Sequence, residues 1–389
     1  MKLEGVKVLD LSAFLPGPHM TMMMADHGAD VIMVEPANGV GEPTRAIGYR
    51  TADDVSVWFR NIARGKRSLK INLKDPEAHA LFLRLADDAD VVVESFRPGV
   101  VQRLGVDYAT LSARNPRLVY CSISSFGQEG PNALKPGHAL TIEAMSGVLD
   151  LNRGLEDDKP TNPCIPASDM AASLMAFSAI MMALYRRHQT GRGDYIDMAM
   201  YDALVTWTAN VTGPVFAEDK HPVPKTMRSF GGAAMNRVYE TKDGKFLVLG
   251  GSELHFARNI LEALGRPDLL DFARHEPGPA QDPLKGFFRE VFLTKTLAEW
   301  ESFLKGVDVC WAPVRSLKDT FDDPLTAERG LVLQDAAGNR HLGPPIRFRD
   351  EPPAPRLTTP AYGEHSSEIA AASGLSAEQV AGLKARGAI

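Results

Sequence analysis

The chain has 389 residues, of which 44% are hydrophobic and 24% charged, a composition typical of a globular protein of about two domains. Its net charge of −6, without a dense basic run, argues against a nucleic-acid surface. No uninterrupted apolar stretch is long enough to span a bilayer, and the scattered Cys121, Cys164 and Cys310 favour neither a disulfide framework nor a metal site. The chain opens on a strand pattern, so we expect no signal peptide and a cytoplasmic location.

The first third of the chain alternates short buried strands with helices. Apolar runs predict strands at 6–11, 30–35, 68–73, 90–94 and 118–124, with helices at 19–27 and 75–86. This alternation is typical of parallel βαβ units and predicts a Rossmann-like α/β domain. No Gly-x-Gly-x-x-Gly follows the first strand, and neither a phosphate loop nor His-Glu-x-x-His occurs. The pattern therefore implies neither NAD nor ATP.

The rest of the chain predicts a second, smaller unit. A long helix from about 170 to 188, a strand at 195–198 and a helix at 201–210 continue the large domain. A proline-rich, charged stretch reads as a linker, and a hairpin at 236–240 and 245–250 turns on Thr241-Lys242-Asp243-Gly244. The predicted parts are a large domain at 1–212, a linker at 213–225, a small α+β domain at 226–325 and a C-terminal segment at 326–389 that returns to the large domain.

Asp169 is the most informative residue of the sequence. It follows Ile165-Pro166-Ala167-Ser168 and precedes the long apolar helix, so it stands at or just inside the helix start. Free N–H groups and the positive end of the helix dipole favour a charged carboxylate there. Such a group can act as a base or nucleophile, although an aspartate in this position is also a common helix cap.

Two further side chains stand beside glycine where the pattern breaks. His138 follows Lys135-Pro136-Gly137 in a long loop, and Glu253 follows Gly250-Gly251-Ser252 at the end of a strand. Functional groups of α/β proteins commonly lie where strands open into loops. A structural loop histidine and a capping carboxylate are the alternative interpretations.

Considered together, the motifs resemble the family III CoA-transferase (CaiB/BaiF) superfamily, which includes the alpha-methylacyl-CoA racemases. The resemblance covers nearly the whole chain, and the order of its motifs makes it specific. The segments that carry it are Val8-Leu9-Asp10-Leu11, Gly17-Pro18, Gly28-Ala29-Asp30-Val31-Ile32, Val34-Glu35-Pro36, Asn61, Arg64-Gly65-Lys66-Arg67-Ser68, Asp90-Val91, Glu94-Ser95-Phe96-Arg97-Pro98-Gly99, Phe126-Gly127-Gln128, Gly130-Pro131, Asp169, Thr190-Gly191-Arg192-Gly193 and Asp243-Gly244.

The resemblance implies one of two chemistries at Asp169. In the transferases, the matching aspartate attacks an acyl-CoA thioester and carries first an acyl anhydride, then a CoA thioester. In the racemases, it pairs with a histidine at the position of His138, supported by a glutamate at the position of Glu253, to move the proton α to the thioester. Ser229-Phe230-Gly231-Gly232-Ala233 has fewer glycines than a transferase-type shielding loop, which favours the racemase. Ala139 and Glu143 depart from the racemase pattern.

The resemblance also implies a CoA site and an assembly. The sequence-matched contacts for the nucleotide and pantetheine are Leu15, Pro16, Ile71, Asn72, Lys74, Ser95, Phe96, Arg97 and Arg103. Backbone N–H groups near the start of the Asp169 helix are candidate donors to the enolate oxygen. We expect no prosthetic group and no metal, CoA as part of the substrate, and a homodimer of interlocked rings. A non-catalytic CoA-binding scaffold is the remaining alternative.

Overall fold

The computed structural model describes residues 1–154 and 157–389, which form two compact units. The first consists of Met1–Ser146, Pro163–Trp207 and Pro324–Ile389, and the second of Gly147–Asn162 and Thr208–Asp323. The sequence-based boundaries placed residues 147–162 in the large domain, whereas the structure groups them with the second unit. The predicted linker 213–225 also begins with a short helix, because Pro214 falls in the first turn, where its missing N–H has no role.

A parallel sheet forms the centre of the first unit. Six strands within the described residues make it, in the order β3-β2-β1-β4-β5-β6. They are β1 Lys7–Leu11, β2 Asp30–Pro36, β3 Arg67–Ile71, β4 Val91–Glu94, β5 Val119–Ser124 and β6 Tyr195–Ala199. The predicted parallel α/β sheet is confirmed. From β1, the chain adds β2 and β3 on one side and then β4, β5 and β6 on the other, so the strand order reverses between β1 and β4. A crevice is expected outside the carboxyl ends of these two strands.

The helices follow the strands in alternation. In chain order, those that the structure describes are α1 Pro16–Asp26, α2 Val57–Ala63, α3 Pro76–Asp87, α4 Val100–Leu104, α5 Tyr108–Arg114, α6 Ala139–Met145, α7 Val148–Leu151, α8 Ala167–Thr190, α9 Met200–Thr206, α10 Gly213–Glu218, α11 Leu254–Ala263, α12 Asp282–Phe292, α13 Leu297–Leu304, α14 Leu317–Asp322, α15 Pro324–Glu328, α16 Ser366–Ala372 and α17 Ala377–Ala385. Helix α1 starts three residues before the predicted 19–27, since Pro16 and Pro18 are tolerated in a first helical turn.

The second unit contains a small antiparallel sheet. Its strands are β7 Asn236–Glu240, β8 Phe246–Gly250 and β9 Trp311–Pro313, in that order. The predicted hairpin is confirmed, and Gly244 adopts the left-handed conformation that its turn requires. Helices α11, α12 and α13 cover the sheet with an apolar core that includes Phe288, Phe292 and Trp300.

The C-terminal segment packs on the first unit. A short ribbon, β10 Val332–Gln334 and β11 Arg340–Leu342, comes first. Ile369 of α16 and Leu383 of α17 then join the core beneath the sheet. The amide of Asn72, after β3, donates to the carbonyl oxygen of Ala388 at 2.8 Å. The end of the chain therefore supports the loop that follows β3.

Helix α8 is the longest helix among the residues described. By length and hydropathy it is also the one described helix that could cross a membrane, which is weak evidence because core helices pass the same test. It packs against α1, α9, β5 and β6, as a helix covering a sheet does.

His19 links α1 to α8 and makes stability depend on pH. Its Nδ1 lies 2.8 Å from the Ser173 hydroxyl oxygen. Burial, aided by the charges of Lys66 and Arg64, lowers the pKa of His19 from 6.5 to about 4. The folded state therefore resists protonation of this ring, so its contribution to stability is complete above pH 6.5 and is lost as the pH falls towards 4.

We expect the free energy of unfolding to fall between pH 7 and pH 4 by up to about 3 kcal/mol more in the unmodified protein than in His19→Gln. Glutamine keeps a polar partner for Ser173 but has no proton to gain in this range. Denaturant unfolding at pH 7, 5.5 and 4 measures the difference. Parallel pH dependence in the two proteins would contradict the assignment.

Candidate active site

A cavity of about 310 Å³ opens at the carboxyl edge of the parallel sheet. The loops after β1, β4 and β5 line it, beside the point where the strand order changes. The lining residues with ionisable or hydroxyl-bearing side chains are Ser95, Arg97, Ser124, Ser125, Lys135, His138 and Asp169. Open α/β sheets bind ligands at this position.

Buried charges fix the loop between β1 and α1. Asp10 accepts a hydrogen bond from the Ser12 amide at 3.0 Å and pairs with Lys66 at 3.0 Å, with both side chains fully buried. Lys66 also donates to the carbonyl oxygen of Pro18 at 2.8 Å. Gly17 packs so closely on Ser12 that a Cβ would overlap its side chain. These contacts hold the loop in one conformation at the wall of the cavity.

Phe14 is held in an unusual conformation at the centre of this loop. Its φ of +67° lies in the left-handed region, which costs a non-glycine residue on the order of 1–3 kcal/mol. The buried carboxylate of Glu42 accepts a hydrogen bond from the Phe14 amide at 2.8 Å, which helps to hold this left-handed backbone. The Phe14 ring meets His138 edge to face, with ring centroids 5.8 Å apart. The loop thus presents an aromatic wall to the imidazole.

Asp169 lies in the first turn of α8, as predicted, and faces the cavity. The amide at this helix position does favour the charged form, as expected, but other influences on the carboxyl group outweigh it. Burial, the largest influence, raises the pKa of Asp169 to about 6, and the charge of Glu143 raises it further. A hydrogen bond from the Ser168 hydroxyl at 3.3 Å and the nearby His138 act in the opposite direction. Asp169 is therefore a carboxyl group able to exist in both forms close to neutral pH.

Three amides at the start of α8 have acceptors within the protein. Ala167 donates to Glu143 Oε1 at 2.7 Å, Ser168 donates to the same oxygen at 3.5 Å, and Met170 donates to the carbonyl oxygen of Pro166 at 3.2 Å. The expected role of N–H groups near the helix start as donors to an enolate oxygen stays a prediction.

His138 caps the start of α6 and extends an exposed side chain into the same cavity. Its amide donates to the Thr141 hydroxyl oxygen at 2.9 Å, which fixes the backbone that carries the ring. The structure therefore brings together His138 and Asp169, two residues that are 31 positions apart in the sequence.

Glu253 lies in the second unit, at the N-cap position of α11 without a side-chain capping bond. Its side chain is 52% exposed and lies 3.9 Å from Arg228. Every lining residue of the cavity belongs to the first unit, so Glu253 is not among them. Its support of His138 stays a prediction.

A second cavity, of about 430 Å³, adjoins the first at the carboxyl ends of β1, β2 and β3. The two share Ala13 and Phe96. Of the residues predicted for CoA, the second cavity includes Ile71, Asn72, Lys74 and Phe96, and the first includes Pro16, Ser95, Phe96 and Arg97. Leu15 and Arg103 line neither cavity. No group of three or more metal-binding side chains occurs in the part of the chain that the structure describes.

Fold and crevice together define a Rossmann-like protein with a ligand site at the carboxyl edge of its sheet. Residues 3–366 match CoA-transferase family III, and the chain belongs to this family. It is 30% identical to succinyl-CoA:glutarate CoA-transferase of Mus musculus, over 94% of this chain and 85% of the relative. It is 31% identical to alpha-methylacyl-CoA racemase of Homo sapiens, over 98% of this chain and 95% of the relative.

A solved structure of a CaiB/BaiF family protein from Brucella suis has the same fold. It superposes with a TM-score of 0.81 at 30% identity and covers 95% of this chain and 99% of that one. The predicted family is confirmed, and the chain is an enzyme of the kind its relatives represent, either a CoA-transferase or an acyl-CoA racemase.

The sequence analysis assigns no role to two residues that line the cavity, Phe14 and Lys135, or to Glu143, which contacts the start of α8. Glu143 could have been noticed in the sequence, because it is the one charged residue of the short helix α6. Lys135 precedes the Pro136-Gly137-His138 turn that the sequence did single out. Phe14 left no such signal, since its left-handed backbone arises from tertiary contacts.

Proposed function

We propose that this protein moves the proton on the carbon next to the thioester of a 2-methylacyl-CoA, as a racemase or epimerase. The observation that carries the proposal is that an imidazole, His138, and a carboxyl group, Asp169, line one cavity from separate chain segments. Both are side chains that take up and release protons in enzymes. The similarity to human alpha-methylacyl-CoA racemase supports the same assignment.

The proposed reaction needs a proton carrier on each face of the α-carbon. One group removes the α-proton and leaves an enolate, and the other, protonated, returns a proton to the opposite face. No bond other than C–H is broken and no electrons leave the substrate. A pKa of about 6 leaves Asp169 mostly ionised at neutral pH yet able to hold a proton. Exchange of the two roles runs the reaction in reverse.

We place the CoA portion of the substrate in the second cavity. Ile71 and Phe96 offer apolar contact there, and Lys74 offers a cation for a phosphate group. Because the two cavities share Ala13 and Phe96, a thioester can extend from one to the other. Glu253 remains a proposed support for His138 on the family resemblance alone.

Lys74→Met should weaken the binding of free CoA about tenfold, the effect of losing one charge-assisted phosphate contact. Arg103→Met removes another cation that the resemblance assigned to CoA but that lines neither cavity, and should change affinity less than about twofold. Calorimetric titration with CoA measures both. A larger loss in Arg103→Met than in Lys74→Met would contradict this placement.

Transfer of CoA between carboxylic acids is the second candidate, because a relative of this chain is named succinyl-CoA:glutarate CoA-transferase. In that reaction Asp169 would attack the thioester carbonyl and expel CoA thiolate, forming an acyl anhydride. The thiolate would then attack the aspartyl carbonyl, release the carboxylate and leave an Asp169 thioester.

Incubation with 2-methylacyl-CoA thioesters in D₂O separates the two reactions. The racemase proposal predicts deuterium at the α-carbon in the absence of any carboxylic acid acceptor. The transferase predicts turnover only with an acceptor, together with an Asp169 adduct that hydroxylamine captures. Acceptor-dependent turnover with no α-deuterium would overturn the racemase proposal.

We also propose a cytoplasmic homodimer, with interlocked rings as the family resemblance implies. Leu174, Met182 and Tyr185 support it, because these large apolar side chains lie 42%, 66% and 72% exposed along α8. Sedimentation should give about twice the 42.3 kDa chain mass. Met182→Glu should shift the protein towards monomer, and a monomeric unmodified protein would contradict the assembly.

A further inference from the structure

We propose that Glu143 is a positioning residue of this site, which holds the first turn of α8 in place and keeps a second negative charge beside Asp169. The proposal rests on the proposed role of Asp169 as the reacting carboxyl group, whichever of the two reactions it serves. It adds a residue that the family resemblance marked only as a departure.

The hydrogen bonds of Glu143 define its first role. Its Oε1 accepts the Ala167 amide at 2.7 Å and the Ser168 amide at 3.5 Å. The residue before the helix, Pro166, contributes no side-chain cap. A carboxylate from α6 therefore replaces the local cap that helices usually carry, and it ties the segment that bears His138 to the segment that bears Asp169.

The second oxygen of Glu143 points to a role beyond capping. The residue is only 2% exposed, and among the described residues no donor reaches its Oε2. A buried carboxylate oxygen without a donor is costly, and glutamine would cap the same amides without that charge. Glutamine would keep the hydrogen bonds of Glu143 to α8 but not its negative charge. The role of Glu143 beyond capping is therefore assigned to that charge.

Asp169 is the neighbour that this charge affects. The surrounding ionisable groups are His138, Arg97 and Lys135, which line the cavity, and Glu143, which packs behind the helix start. Burial contributes most to the raised pKa of Asp169, Glu143 adds to it, and His138 opposes it. Without Glu143, the helix amides and His138 would favour the ionised form and weaken Asp169 as a base.

The test is an NMR titration of the Asp169 carboxyl carbon in the full-length protein, assigned by comparison with Asp169→Asn. In Glu143→Gln, which keeps the shape and an acceptor oxygen, the pKa of Asp169 should fall from about 6 to roughly 5. The exposed Glu129→Gln makes the same change outside the cavity lining and should leave it unchanged. An unchanged pKa in folded Glu143→Gln would overturn the proposal.

Glu143→Asp covers the case in which Glu143→Gln does not fold. It retains the charge but shortens the reach to α8, so the pKa of Asp169 should stay above 5 while the melting temperature falls. A pKa near 4 despite the retained charge would overturn the proposal. Because neither titration needs a substrate, a failure to find α-proton exchange would count against the proposed function and leave this result standing.

Discussion

Asp169→Asn should reduce interconversion of the two configurations of a 2-methylacyl-CoA by about a thousandfold, the middle of the range for loss of a general acid–base group. Asparagine has nearly the same shape as aspartate, but its amide neither takes nor gives a proton at neutral pH. The affinity for the thioester should change only a few-fold, since the cavity lining is otherwise intact. Chiral chromatography of the products and calorimetric binding measure the two effects.

Asp202→Asn is the matched control for this change. Asp202 also lies in the first turn of a helix, α9, but it is exposed and does not line the cavity. We expect the rate of interconversion in Asp202→Asn to stay within about twofold of the rate in the unmodified protein, as is usual for surface changes away from a site. A similar loss in the two variants, or none in Asp169→Asn, would remove Asp169 from the reaction.

The rate of interconversion should also depend on pH, because Asp169 must be ionised to remove a proton. Burial raises its pKa to about 6, so its ionised fraction declines as the pH falls below 6. The direction in which Asp169 removes the proton should then slow about tenfold per pH unit below that value. A rate that stays constant down to pH 4 would contradict a role for ionised Asp169.

His138→Gln should lower the same interconversion by about a hundredfold or more, with most of the loss in kcat. Glutamine retains a polar side chain against Phe14 but cannot carry the second proton. The exposed His221→Gln makes the same chemical change outside the cavity and should leave kcat unaltered. A loss confined to KM in His138→Gln would reduce His138 to a binding residue.

Much of the first unit could be predicted because its signals are local. The apolar runs that become β1 to β5 are short, buried and separated by helical patterns, which leaves a parallel sheet as the arrangement that buries them all. Asp169 was placed correctly because a helix start is also a local feature. The predicted start of α1 is three residues late because Pro16 and Pro18 lie in its first turn, and proline both ends strands and begins helices.

The electrostatics of the site could not be predicted in the same way. The pKa of Asp169 depends on its burial and on Glu143, which lies 26 residues away in the sequence. Glu143 also accepts hydrogen bonds from amides at the helix start. Phe14 adopts its left-handed backbone beside Glu42, a contact 28 residues apart. Arg103 lines neither cavity, and this likewise depends on how α4 packs. Each of these follows from tertiary packing.

The most direct test of the account follows α-deuterium uptake from D₂O by each pure enantiomer of one 2-methylacyl-CoA. In the proposed reaction, His138 serves one face of the α-carbon and Asp169 serves the other. Asp169→Asn should therefore retain exchange with one enantiomer only, and His138→Gln with the opposite enantiomer only. Loss of exchange with the same enantiomer in both variants, or unchanged exchange in either, would contradict it.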